Sequence, residues 1–306
     1  MKHIRIISPS GVIDPTYIDQ ASARLRAWGY KVSEGAYARA QWGRFAGTDE
    51  ERLQDIKEAL EDPTVDFILC SRGGYGLQRI IDRIAPIGKP IIGFSDITAL
   101  HQLSAICHQP SLHGIMCKHI ATLPEDSEPI MALRKALKGE PLEYRWEAHP
   151  LNRFGAAEGP LIGGNLSVLY GLQGTAFSIQ HAAVSMQPSA LSRQKPILLI
   201  EDIAERHYHI DRMMNNLRMS GVLAGLGGLI VGQFTDCEDD PSMGCTIYET
   251  IKEAVADYDY PILFNAPVGH VEHNLPLWLG VPTRMIISAE GAVVSTCEGP
   301  VLRTCT

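Results

Sequence analysis

Ser95 lies in the run Pro90-Ile-Ile-Gly-Phe-Ser-Asp-Ile-Thr-Ala-Leu-His101, between the apolar tail of a buried strand and a stretch from Asp96 that suits a helix. A serine on such a corner lifts its hydroxyl out of the sheet edge, where the first N–H groups of the new helix face whatever approaches. That position suits a nucleophile. The plainer role is a helix N-cap, and Ile97 stands where the hydrolase elbow Gly-x-Ser-x-Gly has its second glycine. A serine hydroxyl also needs a base, usually a histidine, which in turn needs an acid to set its tautomer. Of the eleven histidines, His101, His108, His113 and His119 are near Ser95 in sequence and are expected to be surface or packing residues. His270 differs, because Pro267-Val-Gly-His-Val-Glu-His-Asn274 follows a strand at 261–264 and puts an imidazole on a loop beyond its end. Glu201 is the expected acid, appearing as the apolar run 197–200 emerges from the core. Asp202, the next residue, points the other way if the strand continues. A glycine N–H at Gly73 or Gly74, together with the N–H of Asp96, would hold a developing oxyanion, whereas a tight turn alone would explain the same glycines.

Two other chemistries have partial signals. His207-Tyr208-His209-Ile210-Asp211 has the form of a His-x-His-x-Asp metal run, which His270 with Glu272 or His273 would complete. Arg212 stands where that run needs another histidine, and Ile210, Met213, Met214 and Leu217 make the segment an amphipathic helix. Neither glycine-rich stretch, 73–76 or 225–232, has the spacing of a nucleotide-binding loop. No metal and no cofactor are expected.

The elements that must carry these groups alternate strand and helix. Strands are predicted at 4–8, 31–34, 65–70 and 91–94, with helices at 15–28, 48–60, 77–84 and from about 96. Thr48 and Glu51 form a capping box. This is the pattern of a doubly wound, mostly parallel α/β sheet, in which ligands bind beyond the carboxyl ends of the strands. Between 138 and 160 the periodicity breaks, and the chain is read as two domains, 1–150 with Ser95 and a smaller, strand-rich α/β domain at 151–306 with Glu201 and His270. The second part is predicted to hold helices near 165–172, 208–219 and 247–258, strands at 197–200, 228–231 and 261–264, and a hairpin of 284–288 with 292–296.

Composition narrows the partners. A net charge of −8 argues against nucleic acid, and no run approaches the roughly 20 apolar residues that span a bilayer. The seven cysteines, without a Cys-x-x-Cys pair, suit reduced thiols. With a strand entered at His3-Ile-Arg-Ile-Ile7 and no sorting signal before it, a cytoplasmic protein is expected.

Taken in order, Arg72-Gly-Gly-Tyr-Gly76, Gly93-Phe-Ser-Asp-Ile-Thr98, Gly163-Gly-Asn-Leu166, Leu199-Ile-Glu-Asp202, Ile210-Asp-Arg212 and Gly269-His270 resemble the murein tetrapeptide LD-carboxypeptidases, serine peptidases with microcin-immunity peptidases as close relatives. The resemblance implies a triad of Ser95, Glu201 and His270 at a domain interface, an oxyanion hole from the N–H groups of Gly74 and Asp96, and a homodimer. It further implies release of terminal D-alanine from a murein tetrapeptide during wall recycling. A carboxypeptidase must read a free carboxylate; Arg72 is the candidate for it, with Tyr75 and Asn165 as candidate pocket residues. Two alternatives stand beside this reading: cleavage of a peptidyl-nucleotide amide by the same triad, as in the microcin-immunity enzymes, and a two-domain small-molecule binding protein without catalysis.

Overall fold

The computed structural model describes residues 1–185 and 194–296. In chain order the elements are β1 (His3–Ile7), α1 (Pro15–Ala27), β2 (Lys31–Glu34), α2 (Asp49–Glu61), β3 (Phe67–Cys70), β4 (Ile91–Gly93), α3 (Thr98–Ile106), β5 (Ser111–His113), α4 (Cys117–Thr122) and α5 (Glu128–Lys138). There follow β6 (Glu143–Trp146), β7 (Gly155–Asn165), α6 (Leu166–Gly171), α7 (Ile179–Ser185), β8 (Ile197–Ile203), α8 (His207–Met219) and β9 (Gly228–Thr235). The chain continues through α9 (Ile247–Ala254), β10 (Ile262–Leu263), β11 (Leu277–Leu279), β12 (Pro282–Ser288) and β13 (Gly291–Thr296). The capping box at Thr48 and Glu51 forms as its spacing predicts.

The first sheet has the order β11-β5-β4-β3-β1-β2, parallel except for β11, which runs antiparallel to β5. The second has the order β10-β9-β8-β7-β12-β13-β6, parallel from β10 to β7 and antiparallel beyond. The fold is therefore the mixed α/β class expected, a parallel-rich sheet beside a strand-rich one. Two strands cross the expected division at residue 150. β6 precedes it yet pairs with β13, and β11 follows it yet closes the first sheet against β5. One apolar cluster accordingly joins Ile6, Leu69 and Leu112 to Leu161, Leu199 and the fully buried Trp278.

α3 lies between the sheets and is buried from Thr98 to Ala105. It docks on β7 where a Cβ on Gly164 would sit 2.5 Å from Thr98 Oγ1. The missing side chain lets Asn165 N donate to that hydroxyl at 2.9 Å. The helix that follows Ser95 is thus held by the strand that runs beside Glu201.

Two local expectations are corrected. The helix predicted at 77–84 is two 3-10 turns, Leu77–Arg79 and Ile81–Arg83. Leu77, Ile80, Ile81 and Ile84 are all buried, and between Gly76 and Pro86 short turns bury that spacing as well as a helix would. The aperiodic stretch at 138–160 holds β6 and the start of β7. Glu143-Tyr-Arg-Trp146 does alternate, but its one buried residue, Tyr144, stands between the exposed charges of Glu143 and Arg145, which reads as a loop.

Candidate active site

β4 ends at Gly93, and Phe94 is extended at φ −152° before Ser95 turns to φ +68°. A non-glycine residue in the left-handed region is strained and persists only where its surroundings enforce it. Here Asp96 supplies the anchor. Its buried carboxylate accepts from Ser10 Oγ at 2.6 Å and from Leu77 N at 3.0 Å, and burial pushes its pKa up. The corner is also crowded, since a Cβ on Gly73 would lie 2.7 Å from Ser95 Cβ and 2.9 Å from its Oγ. Ser95 does not serve as a side-chain cap: its Oγ has no hydrogen-bond partner among the described residues. The Gly74 N–H likewise donates to no group among them.

β8 continues to Ile203, so alternation sends Glu201 and Asp202 to opposite faces. In the pairing with β9, Ile200 opposes Val231 while Asp202 opposes Phe234, so β9 carries an extra residue opposite Glu201. Such bulges re-aim side chains beside functional sites. Glu201 is fully buried, and its Oε2 accepts from His270 Nδ1 at 2.7 Å. Burial works against its charge, but the imidazoles of His113 and His270 outweigh that and hold the carboxyl below its usual range. For His270 burial favours the neutral ring, and the Glu201 carboxylate overrides it to raise the imidazole above its ordinary value. The ring stands edge-on to Phe94 at 5.0 Å between centroids, beside the serine corner. Its loop is tied by Gly269 N to Asn274 Oδ1 at 3.0 Å and Leu275 N to Pro267 O at 2.9 Å. Asp202 instead accepts from Asn165 Nδ2 and Ser167 N, both at 2.8 Å, and burial with the nearby Glu201 charge pushes it up to about 7.

Ser95 and His270 line one cleft of about 930 Å³, together with Arg72, Gly74, Lys118 and His119. Arg72 reaches it with one arm committed, Nη1 donating to Val12 O at 2.7 Å. Tyr75 does not line it; its ring lies 6.0 Å from Phe45 and under the Arg44 guanidinium. Asn165 is buried away from the cleft as the cap of α6, accepting from Val168 N at 3.1 Å. The metal run does not assemble. His207 bonds Thr250 at 2.7 Å, His209 bonds Glu205 at 2.9 Å, and His273 pairs with Glu128 at 3.0 Å. Among the described residues no group of three His, Cys, Asp or Glu is arranged for a metal ion.

Sequence reasoning missed three neighbours of this site. His113, expected at the surface or in packing, is fully buried with Nε2 3.9 Å from Glu201 Oε1. His119 lines the cleft, where burial and Lys118 lower its pKa to about 4. Lys118 lines the cleft beside it. Each lies on β5 or α4, and nothing in local spacing tells that these pack against a loop some 150 residues later. His101 is the packing residue expected, bonded to Ser111 Oγ and Gly93 O, both at 2.9 Å. Cys70, Cys107, Cys117, Cys237 and Cys245 are free, and Cys297 and Cys305 lie outside the described residues. No helix among the described residues is long and apolar enough to cross a membrane.

Comparison with known proteins bears on this geometry. The LD-carboxypeptidase N-terminal domain model matches residues 4–114, and the C-terminal domain model matches residues 158–285. The probable murein peptide carboxypeptidase of Bacillus subtilis (strain 168) is 32% identical over 304 residues, covering 95% of this chain and 91% of that protein. The murein tetrapeptide carboxypeptidase of Pseudomonas aeruginosa is 28% identical over 290 residues, 89% of each. Among solved structures, a muramoyltetrapeptide carboxypeptidase from Oxalobacter formigenes superposes with a TM-score of 0.85 at 24% identity, covering 98% of this chain and 100% of that one. MccF in complex with glutamyl sulfamoyl guanosine does so at 0.80 and 21%, covering 97% and 96%, and both likenesses are of fold. Two domain models in chain order, and a relative above the 30% level across nearly the whole length, lead to one assignment: the chain belongs to the LD-carboxypeptidase family, peptidase S66, and is a serine carboxypeptidase.

Proposed function

We propose that this enzyme hydrolyses the amide between the L-configured centre of a diamino acid and a terminal D-alanine, converting a murein tetrapeptide to a tripeptide. The observation that carries the reading is the Glu201–His270 pair at 2.7 Å facing a cleft shared with a strained, unbonded Ser95. Ser95 Oγ attacks the carbonyl carbon and gives its proton to His270 Nε2. His270 Nδ1–H stays donated to Glu201, which stabilises the imidazolium as it forms. The carbonyl oxygen becomes an oxyanion held by the N–H groups of Gly74 and Asp96, donors typically worth about 3 kcal/mol each. His270 then protonates the leaving D-alanine amine, and water resolves the acyl-enzyme by the same route reversed. Arg72, with donors left after its bond to Val12, reads the terminal carboxylate. A cytoplasmic homodimer acting on recycled wall fragments completes the reading.

The test is release of D-alanine from a murein tetrapeptide. Wild type is expected to release it and Ser95→Ala to lose the activity by at least about 10³-fold. Equal rates would remove the serine mechanism. Turnover of a peptidyl-nucleotide amide but not of the tetrapeptide would move the enzyme to the microcin-immunity class. Membership of a peptidase family leaves the non-catalytic binding protein without support.

A further inference from the structure

Glu201 is fully buried, yet only one of its oxygens is bonded. Oε2 accepts a hydrogen bond from His270 Nδ1, while Oε1 has no partner among the described residues. A buried carboxylate oxygen left without a donor is costly, and such groups in native proteins call for a reason. The group nearest to supplying one is His113 Nε2, 3.9 Å from Oε1. That ring is itself fully buried, and neither of its nitrogens has a hydrogen-bond partner among the described residues. A donor and an acceptor, both orphaned and both shielded from water, thus face each other at 3.9 Å, about 0.7 Å beyond the usual hydrogen-bond range. Bonds within resting active sites are often this long and tighten when substrate binds.

The elements fix the approach. His113 is the last residue of β5, held between β4, through Gly93, and β11, through Leu277. Its ring packs 5.8 Å from Phe94, which also lies 5.0 Å from the His270 ring and 5.8 Å from that of His119. One aromatic side chain, adjacent to Ser95, therefore spaces both imidazoles that reach Glu201. We propose that His113 is a positioning residue: its Nε2–H, directed at Glu201 Oε1, fixes the carboxylate so that Oε2 stays aimed at His270. It touches neither substrate nor the reacting serine, and it acts through Glu201. This deepens the peptidase reading above and rests on it for its effect on turnover.

Other titratable groups near the pair are His101 on α3, with its ring 6.2 Å from His113, His119 on α4, and Asp202 on β8. Loss of a donor to Glu201 makes the Glu201–His270 pair hold its proton more tightly. The acidic limb of kcat/KM should therefore move to higher pH, by about one unit. The experiment compares His113→Phe, His113→Asn and His113→Gln. Gln carries its amide nitrogen near the place of Nε2, and Asn falls a methylene short. Expected are a kcat loss of roughly ten- to a hundredfold at little change in KM for Phe and Asn, the raised limb, and recovery of most of both in Gln. An unmoved limb, or equal behaviour of Asn and Gln, would reduce His113 to packing and overturn the proposal. If His113→Phe fails to fold, the Asn and Gln pair still decides. The His270 imidazole is also titrated by NMR in wild type and each folded variant, without substrate. Should wild type fail to hydrolyse the tetrapeptide, the functional reading falls while that titration, shifted or unshifted, still settles His113.

Discussion

His270 is pulled two ways, and in the proposed mechanism the balance sets the pH at which the enzyme can work. Burial favours its neutral form, and the Glu201 carboxylate favours the cation strongly enough to raise the pKa above its ordinary 6.5. As general base the imidazole must be neutral, so kcat/KM should climb with pH along a limb whose midpoint lies above 6.5. Glu201→Gln removes the raising partner and leaves burial, so its limb should fall below that of wild type, while kcat drops by about 10³–10⁴-fold as the tautomer is lost. A pH–rate profile of both proteins checks this. An unchanged limb would mean that Glu201 does not govern His270. At the serine the constraint is steric, since Gly73 leaves just enough room for Ser95 and a single Cβ there would collide with it.

At the scale of elements, β7 and β8 align the two halves of the site. Asn165, at the end of β7, pairs in register with Glu201 of β8. Its side chain caps α6, and Nδ2 donates to Asp202 on the face opposite Glu201. Asn165 is 4% exposed, so this is a supporting role and not contact with the cleft. Asn165→Ala removes a cap and leaves Asp202 short of a donor, which should cost about 1–3 kcal/mol of stability. Urea unfolding should show that loss with KM for the tetrapeptide unaltered; a raised KM at full stability would return Asn165 to the pocket.

Over the whole molecule, the halves are joined by more than a linker. β11 comes from the last thirty residues described, yet it forms an edge of the first sheet, and Tyr144 Oη donates to Pro276 O at 2.7 Å to hold its approach. His270 lies on the segment that leads into this strand. The return of the chain to the first sheet therefore carries the His270 imidazole back to the cleft that Ser95 lines. Assembly beyond one chain belongs to this scale as well. The proposed dimer should sediment at twice the 33.6 kDa of the chain, and a particle of one chain's mass across micromolar concentrations would remove it.

The amino-acid sequence by itself was enough for the parallel α/β class, the corner at Ser95, and the opposite directions of Glu201 and Asp202. Each depends on local periodicity: apolar runs, a glycine before a turn, and alternation along a strand that does continue to Ile203. The place of His270 on a loop beyond a strand end is legible in the same way. What lay beyond local pattern were contacts between distant segments. His113 reads as one more histidine in an apolar strand until β5, β11 and β8 are folded together and its ring comes to face Glu201. β6 and β11 are too short to announce themselves, and their pairing is chosen by the strands already in the sheet. Arg72 and Tyr75 sit in one glycine turn and Asn165 at a helix start, and only packing sent the first to the cleft, the second to Phe45 and the third into the core. Side-chain direction in a turn has no period to read, so tertiary structure alone decided it.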